Sequence, residues 1–152
     1  MTELDLDISR LHAAYAKGLS PAEVIDAIYS QIAAADDPGI FIALVEPAQA
    51  RAAAAALGTY DLARPLWGVP FAVKDNIDVA GMPTTAGCPD FAYVPKASAT
   101  CVDLLLAAGA ILIGKTNLDQ FATGLVGVRS PFPIPRNAIN PELVPGGSSS
   151  GS

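Results

Sequence analysis

Apolar residues recur at helical spacing at Ile8, Leu11 and Tyr15, and Gly18 supplies a left-handed stop, so the pattern predicts a first helix. Ser20-Pro21-Ala22-Glu23 reads as a capping box with proline at the first helical position. The stripe Val24, Ile25, Ile28, Tyr29 and Ile32 predicts the helix that follows, and Asp36-Asp37-Pro38-Gly39 ends it. Ile40 to Val45 is an unbroken apolar run, which predicts a strand buried on both faces. Pro47 to Leu57 is an alanine-rich helix stopped by Gly58.

Further on, Phe71-Ala72-Val73 predicts a second strand with Lys74-Asp75-Asn76 at its end, and Ile77-Asp78-Val79 a short continuation before Gly81. Ser98 is the expected cap of a helix through Val102, Leu105 and Leu106 that stops at Gly109. Ala110 to Ile113 predicts a third buried strand, and Lys115-Thr116-Asn117 the start of a short helix carrying Leu118 and Phe121. Strands alternating with helices indicate an α/β fold with a mixed, largely parallel sheet preceded by two helices. The prolines in Ser130-Pro131-Phe132-Pro133-Ile134-Pro135 exclude a helix there.

Composition narrows the class. With 51% hydrophobic and 16% charged residues the chain has the apolar surface to fold. A net charge of -6 argues against a nucleic-acid partner, and no apolar run approaches the ~20 residues of a membrane helix. The acidic start Met1-Thr2-Glu3-Leu4-Asp5 is unlike a secretory leader, and Cys88 and Cys101 make no disulfide framework, so a reduced, cytoplasmic protein is expected. The one histidine, His12, reads as a surface side chain, and no metal or other cofactor is called for.

Gly109-Ala110-Ile111-Leu112-Ile113-Gly114-Lys115-Thr116 has the letters of a phosphate-binding loop. Its middle, Ala-Ile-Leu-Ile, favours an extended buried strand, which leaves no curl of amides to receive an anion. Three polar segments are not explained by packing: Lys74-Asp75-Asn76, Gly114 to Asp119, and Gly146-Gly147-Ser148-Ser149-Ser150-Gly151-Ser152. Lys74 lies at the C-terminal end of a strand, where open α/β folds place their sites, and lysines withdrawn from water there serve as bases. The plainer alternative is an exposed lysine paired with Asp75. The glycine-serine run is either a flexible linker or, with its hydroxyls, the partner of a lysine in acyl transfer without histidine.

These segments, in this order, resemble the amidase signature family, over about Trp67 to Ser152. The resemblance implies an α/β/α sandwich, of which residues 40–152 are an incomplete signature domain and residues 1–39 a preceding helical segment. It implies catalytic roles for Lys74, as general base, and Ser148, as a proton relay entered through a cis peptide bond. Pro133-Ile134-Pro135 departs from a usually glycine-containing stretch. Asn117 to Pro131 and the run ending at Ser152 match the branch that cleaves urea carboxylate (allophanate) to ammonia and carbon dioxide. The alternatives within the family are a general amidase and the glutamyl-tRNA amidotransferase component that carries the amidase fold; outside catalysis, the alternative is a non-catalytic fragment acting as an assembly partner. The family's nucleophilic serine belongs to a later glycine-serine segment, so this stretch by itself is expected to be inactive. The expected partners are a small-molecule amide substrate and either further copies of the chain or the C-terminal part. The high apolar content predicts incompletely covered apolar area.

Overall fold

A computed structural model describes residues 5–152; the acidic start at residues 1–4 lies outside the described residues. The elements are α1 (Ile8–Tyr15), α2 (Pro21–Ala35), β1 (Phe41–Leu44), α3 (Pro47–Ala56), β2 (Pro70–Lys74), α4 (Thr100–Ala107) and β3 (Ile111–Thr116), with 3-10 turns at Pro89–Phe91 and Gln120–Ala122. The sheet has the order β1-β3-β2. β1 runs antiparallel to β3, with Phe41 opposite Thr116 and Leu44 opposite Gly114. Amide bonds from Ile111 to the Val69 carbonyl and from Asp75 to the Thr116 carbonyl join β2 and β3 in the same chain direction. The sheet is therefore mixed.

The chain forms two compact units. The first takes residues up to Asp36, Val45–Phe71 and Asp103–Ile113. Its helices start as their caps dictate: Asp7 accepts the Arg10 amide, and Ser20 and Glu23 exchange the two bonds of the capping box. α2 buries Val24, Ile25 and Ile28 and packs on α3, which turns the small residues Ala50 and Ala54 inward. Tyr15 sits edge-on to Trp67, with ring centroids 5.1 Å apart, and donates to the Gly68 carbonyl at 2.7 Å. Burial pushes the Tyr15 phenol up to about 12. His12 is not a plain surface side chain: Nδ1 meets the Tyr60 hydroxyl and Nε2 the Pro65 carbonyl, each at 3.0 Å.

The second unit takes Asp37–Leu44, Ala72–Val102 and Gly114–Ser152. Three expectations change here. β1 is half-buried to exposed rather than buried on both faces, with Leu44 41% exposed, because an edge strand has a neighbour on one side only. Ile77 to Val79 is a turn, and Ser98 accepts the Ala80 amide instead of capping α4. Lys115 and Thr116 continue β3 instead of opening a helix, and only the 3-10 turn Gln120–Ala122 follows. The cause is local: Phe121 and Ala122 have φ of 52° and 58°, so no right-handed helix can pass through them.

Gly109 to Thr116 forms no phosphate loop, since residues 111–116 are strand and Lys115 is consumed by protein partners. Leu104 and Leu106 on α4 are exposed, as is Leu125 at 87%, in line with apolar area left uncovered. Among the described residues no helix is long and apolar enough to cross a membrane.

Candidate active site

Lys74 is the last residue of β2 and is half-buried. The strand carries Val73 inward, and the residue after Lys74 is locked in place, which fixes where the lysine stem leaves the sheet. Asp75 is fully buried; its Oδ2 accepts the Thr85 amide at 3.0 Å and the Thr85 hydroxyl at 2.5 Å. Its Oδ1 faces the Lys115 ammonium at 3.1 Å, and neither side chain has any exposure. Lys115 spends its other donors on the Pro83 carbonyl and the Thr84 hydroxyl, each at 2.8 Å. A buried charge is tolerable only with such partners, and here both ions have them.

Asp75 is therefore the partner of Lys115, and the alternative of a Lys74–Asp75 pair is not what forms. Lys74 turns instead to the glycine-serine run. Its Nζ donates to Ser148 Oγ at 2.6 Å, across 74 residues of chain. The Gly147–Ser148 peptide is cis, and Gly146 has φ +89°. The run is packed rather than a free linker: Ser150 is 7% exposed. A Cβ on Gly147 would stand 2.3 Å from Asp119 Oδ2, and one on Gly151 would stand 2.1 Å from the Ile40 carbonyl oxygen. Glycine is required at both positions.

Gly114 to Asp119, polar in sequence and unexplained by packing there, has a structural role. Asn117 is fully buried and donates to the carbonyls of Gly39 and Pro133, while its Oδ1 accepts from the Leu118 amide and the Ser130 hydroxyl. Asp119, also fully buried, accepts the Gly127 amide at 3.1 Å and the Arg129 amide at 2.8 Å. Its own amide donates to the Ser148 carbonyl at 2.9 Å. Sequence reasoning misses Asn117 and Asp119 as architects of the site. The available signal is a polar run directly after a buried strand, with no helical period to explain it.

Chemically, the arrangement is an amine and a hydroxyl within one short hydrogen bond, backed by a rigid polar wall. Such a pair can pass a proton from the hydroxyl to the amine and back.

The sequence profile of the Amidase family matches residues 23–152. The chain belongs to the Amidase family. Urea amidolyase of Saccharomyces cerevisiae is 65% identical over 88 residues, which is 58% of this chain and 5% of that protein. The amidase-type component of the glutamyl-tRNA(Gln) amidotransferase of Akkermansia muciniphila is 43% identical over 137 residues, 90% of this chain and 28% of that one. Among solved structures, an allophanate hydrolase of Kluyveromyces lactis superposes with a TM-score of 0.78 at 40% identity, covering 93% of this chain and 24% of its own. The chain thus spans well under a third of each of these relatives. The α/β fold expected for an amidase signature protein is the one observed, and by family this is an amide hydrolase.

Proposed function

We propose that this Amidase-family chain is the part of an amidohydrolase that holds the base and the proton relay, acting on allophanate. Lys74 takes the proton of Ser148, and Ser148 takes the proton of a nucleophilic serine supplied from outside residues 1–152. That serine adds to the amide carbonyl, and the C–N bond breaks as the proton returns to the leaving nitrogen, releasing ammonia. Water then cleaves the acyl-enzyme by the same relay. Residues 40–152 carry this chemistry as an incomplete signature domain, and the helical segment 1–39 precedes it.

The single observation behind the reading is the 2.6 Å contact between Lys74 Nζ and Ser148 Oγ. The choice of allophanate rests on the likeness to urea amidolyase and allophanate hydrolase. The likeness to a glutamyl-tRNA(Gln) amidotransferase over 90% of the chain favours, as a second reading, transfer or hydrolysis at another amide. By itself the 152-residue chain is expected to turn over no amide.

The test is a chimera in which this chain replaces the corresponding stretch of the Kluyveromyces lactis allophanate hydrolase, with ammonia release as the readout. Lys74→Ala and Ser148→Ala should each lower kcat by ~10²–10⁴, the usual worth of a positioned proton carrier. Activity on allophanate that survives both substitutions would sink the assignment. A chimera active on other amides but not on allophanate would move it to the second reading.

A further inference from the structure

Asp119 is a buried carboxylate that the proton relay does not use. It has no cation beside it among its described contacts; two backbone amides, from Gly127 and Arg129, satisfy it. Carboxylates bound by amides alone make strong, directional bonds, so the two amides are fixed where the carboxylate is fixed. What they fix is the wall behind the serine run. A Cβ on Gly127 would stand 2.1 Å from the Gly146 carbonyl oxygen and 2.8 Å from Ser150 Cβ, so residues 146–150 lie directly against it. The Asp119 carboxylate itself presses on Gly147, and on Gly124, where an added Cβ would stand 2.2 Å away. Finally, the Asp119 amide holds the Ser148 carbonyl at 2.9 Å.

One residue thus grips Ser148 twice, directly through its amide and indirectly through the Gly127 wall that its carboxylate builds. We infer that Asp119 is a positioning residue: it sets the orientation of Ser148 so that the hydroxyl meets the Lys74 amine. It touches neither proton-carrying atom. The inference deepens the proposed function and rests on that reading for its catalytic meaning, but its test reads geometry, not turnover.

The experiment uses the 152-residue chain with its lysines labelled with ¹⁵N and ¹³C, and follows the Lys74 Nζ and Cε resonances by NMR. Ser148→Ala removes the hydroxyl and displaces those resonances. Asp119→Asn, which keeps the shape but sets an NH2 group against an amide donor, should produce at least half of that displacement. The double variant should look like Ser148→Ala alone, because Asp119 acts only through the serine. Ser130→Ala, which removes a bond to Asn117 in the same unit, should leave Lys74 unmoved. Additive displacements, no displacement in Asp119→Asn, or an equal displacement in Ser130→Ala would each overturn the inference.

If Asp119→Asn does not fold, hydrogen exchange of the unsubstituted chain decides. The Asp119, Gly127 and Arg129 amides should open as one unit, within a factor of about three of each other; opening that differs by about tenfold or more overturns it. Loss of amidase activity in the chimera has no bearing on either readout, so failure of the function and failure of the positioning role are told apart.

Discussion

The two units of the chain are built on opposite principles. In the first, the interior is Leu11, Tyr15, Val24, Ile25, Ala50, Ala54 and Trp67, nearly all apolar, and the few polar groups among them reach outward to a carbonyl or a hydroxyl. In the second, the interior includes Asp75, Thr84, Thr85, Lys115, Thr116, Asn117 and Asp119, each satisfied by named partners. The first unit is held by area removed from water, which is tolerant of detail. The second is held by hydrogen bonds and an ion pair whose absence is expensive and whose geometry is exacting. The chemistry resides in the second. A base and a relay need atoms held to fractions of an ångström, and a directional network supplies that where an oily contact cannot.

This contrast is sharpest at Lys115. Replacing it with methionine removes the only ion facing Asp75 Oδ1 in the described contacts and strands a carboxylate with no exposure. A loss of about 3–5 kcal/mol is expected in urea unfolding followed by residue-resolved hydrogen exchange, concentrated in the second unit. A cost below about 1 kcal/mol would erase the distinction between the units. Next in size is Leu11→Ala in the first unit, where Leu11 is 1% exposed. Its cavity should cost about 2–4 kcal/mol by the same measurement and leave the Lys74 side-chain resonances in place. Ser20→Ala breaks one reciprocal bond of the capping box and should cost about 1 kcal/mol, seen as faster exchange in the first turn of α2.

The smallest effect near neutral pH belongs to Tyr15. Its phenol rises from 10 to about 12 because burial disfavours the phenolate. The folded chain then holds a proton that the unfolded chain gives up, so stability is unaffected below pH 10 and falls as pH rises from 10 towards 12. Ultraviolet titration should show one tyrosine ionising last, absent in Tyr15→Phe; four tyrosines ionising together near pH 10 would contradict the burial of the first unit's ring cluster.

The same contrast explains what can be read from the sequence. The helices of the first unit announce themselves through apolar spacing and caps, and Ser20 to Glu23 forms the box its letters spell. Lys74 and Ser148 are legible through resemblance and not through periodicity, and they meet in one hydrogen bond. Lys115, Asn117 and Asp119 are harder: their letters suggest the start of a helix, or no role at all. Their side chains point inward for reasons of pairing, and partners 31 to 78 residues away leave no local mark. β1 looks doubly buried in sequence because composition reports apolarity, whereas its place at the sheet edge is decided by strand order.

The seat of Gly151 has a further consequence for the making of the protein. Its backbone fits against the Ile40 carbonyl with no room for a methyl group, and its amide donates to the Asn117 carbonyl. Ile40 therefore emerges from the ribosome roughly 110 residues before the partner that closes over it, several seconds or more at typical synthesis rates. During that interval β1 and the strand ends have no finished roof. Cells that make this chain must shelter those apolar edges until the serine run arrives, and a slower messenger over its last codons would lengthen the exposure.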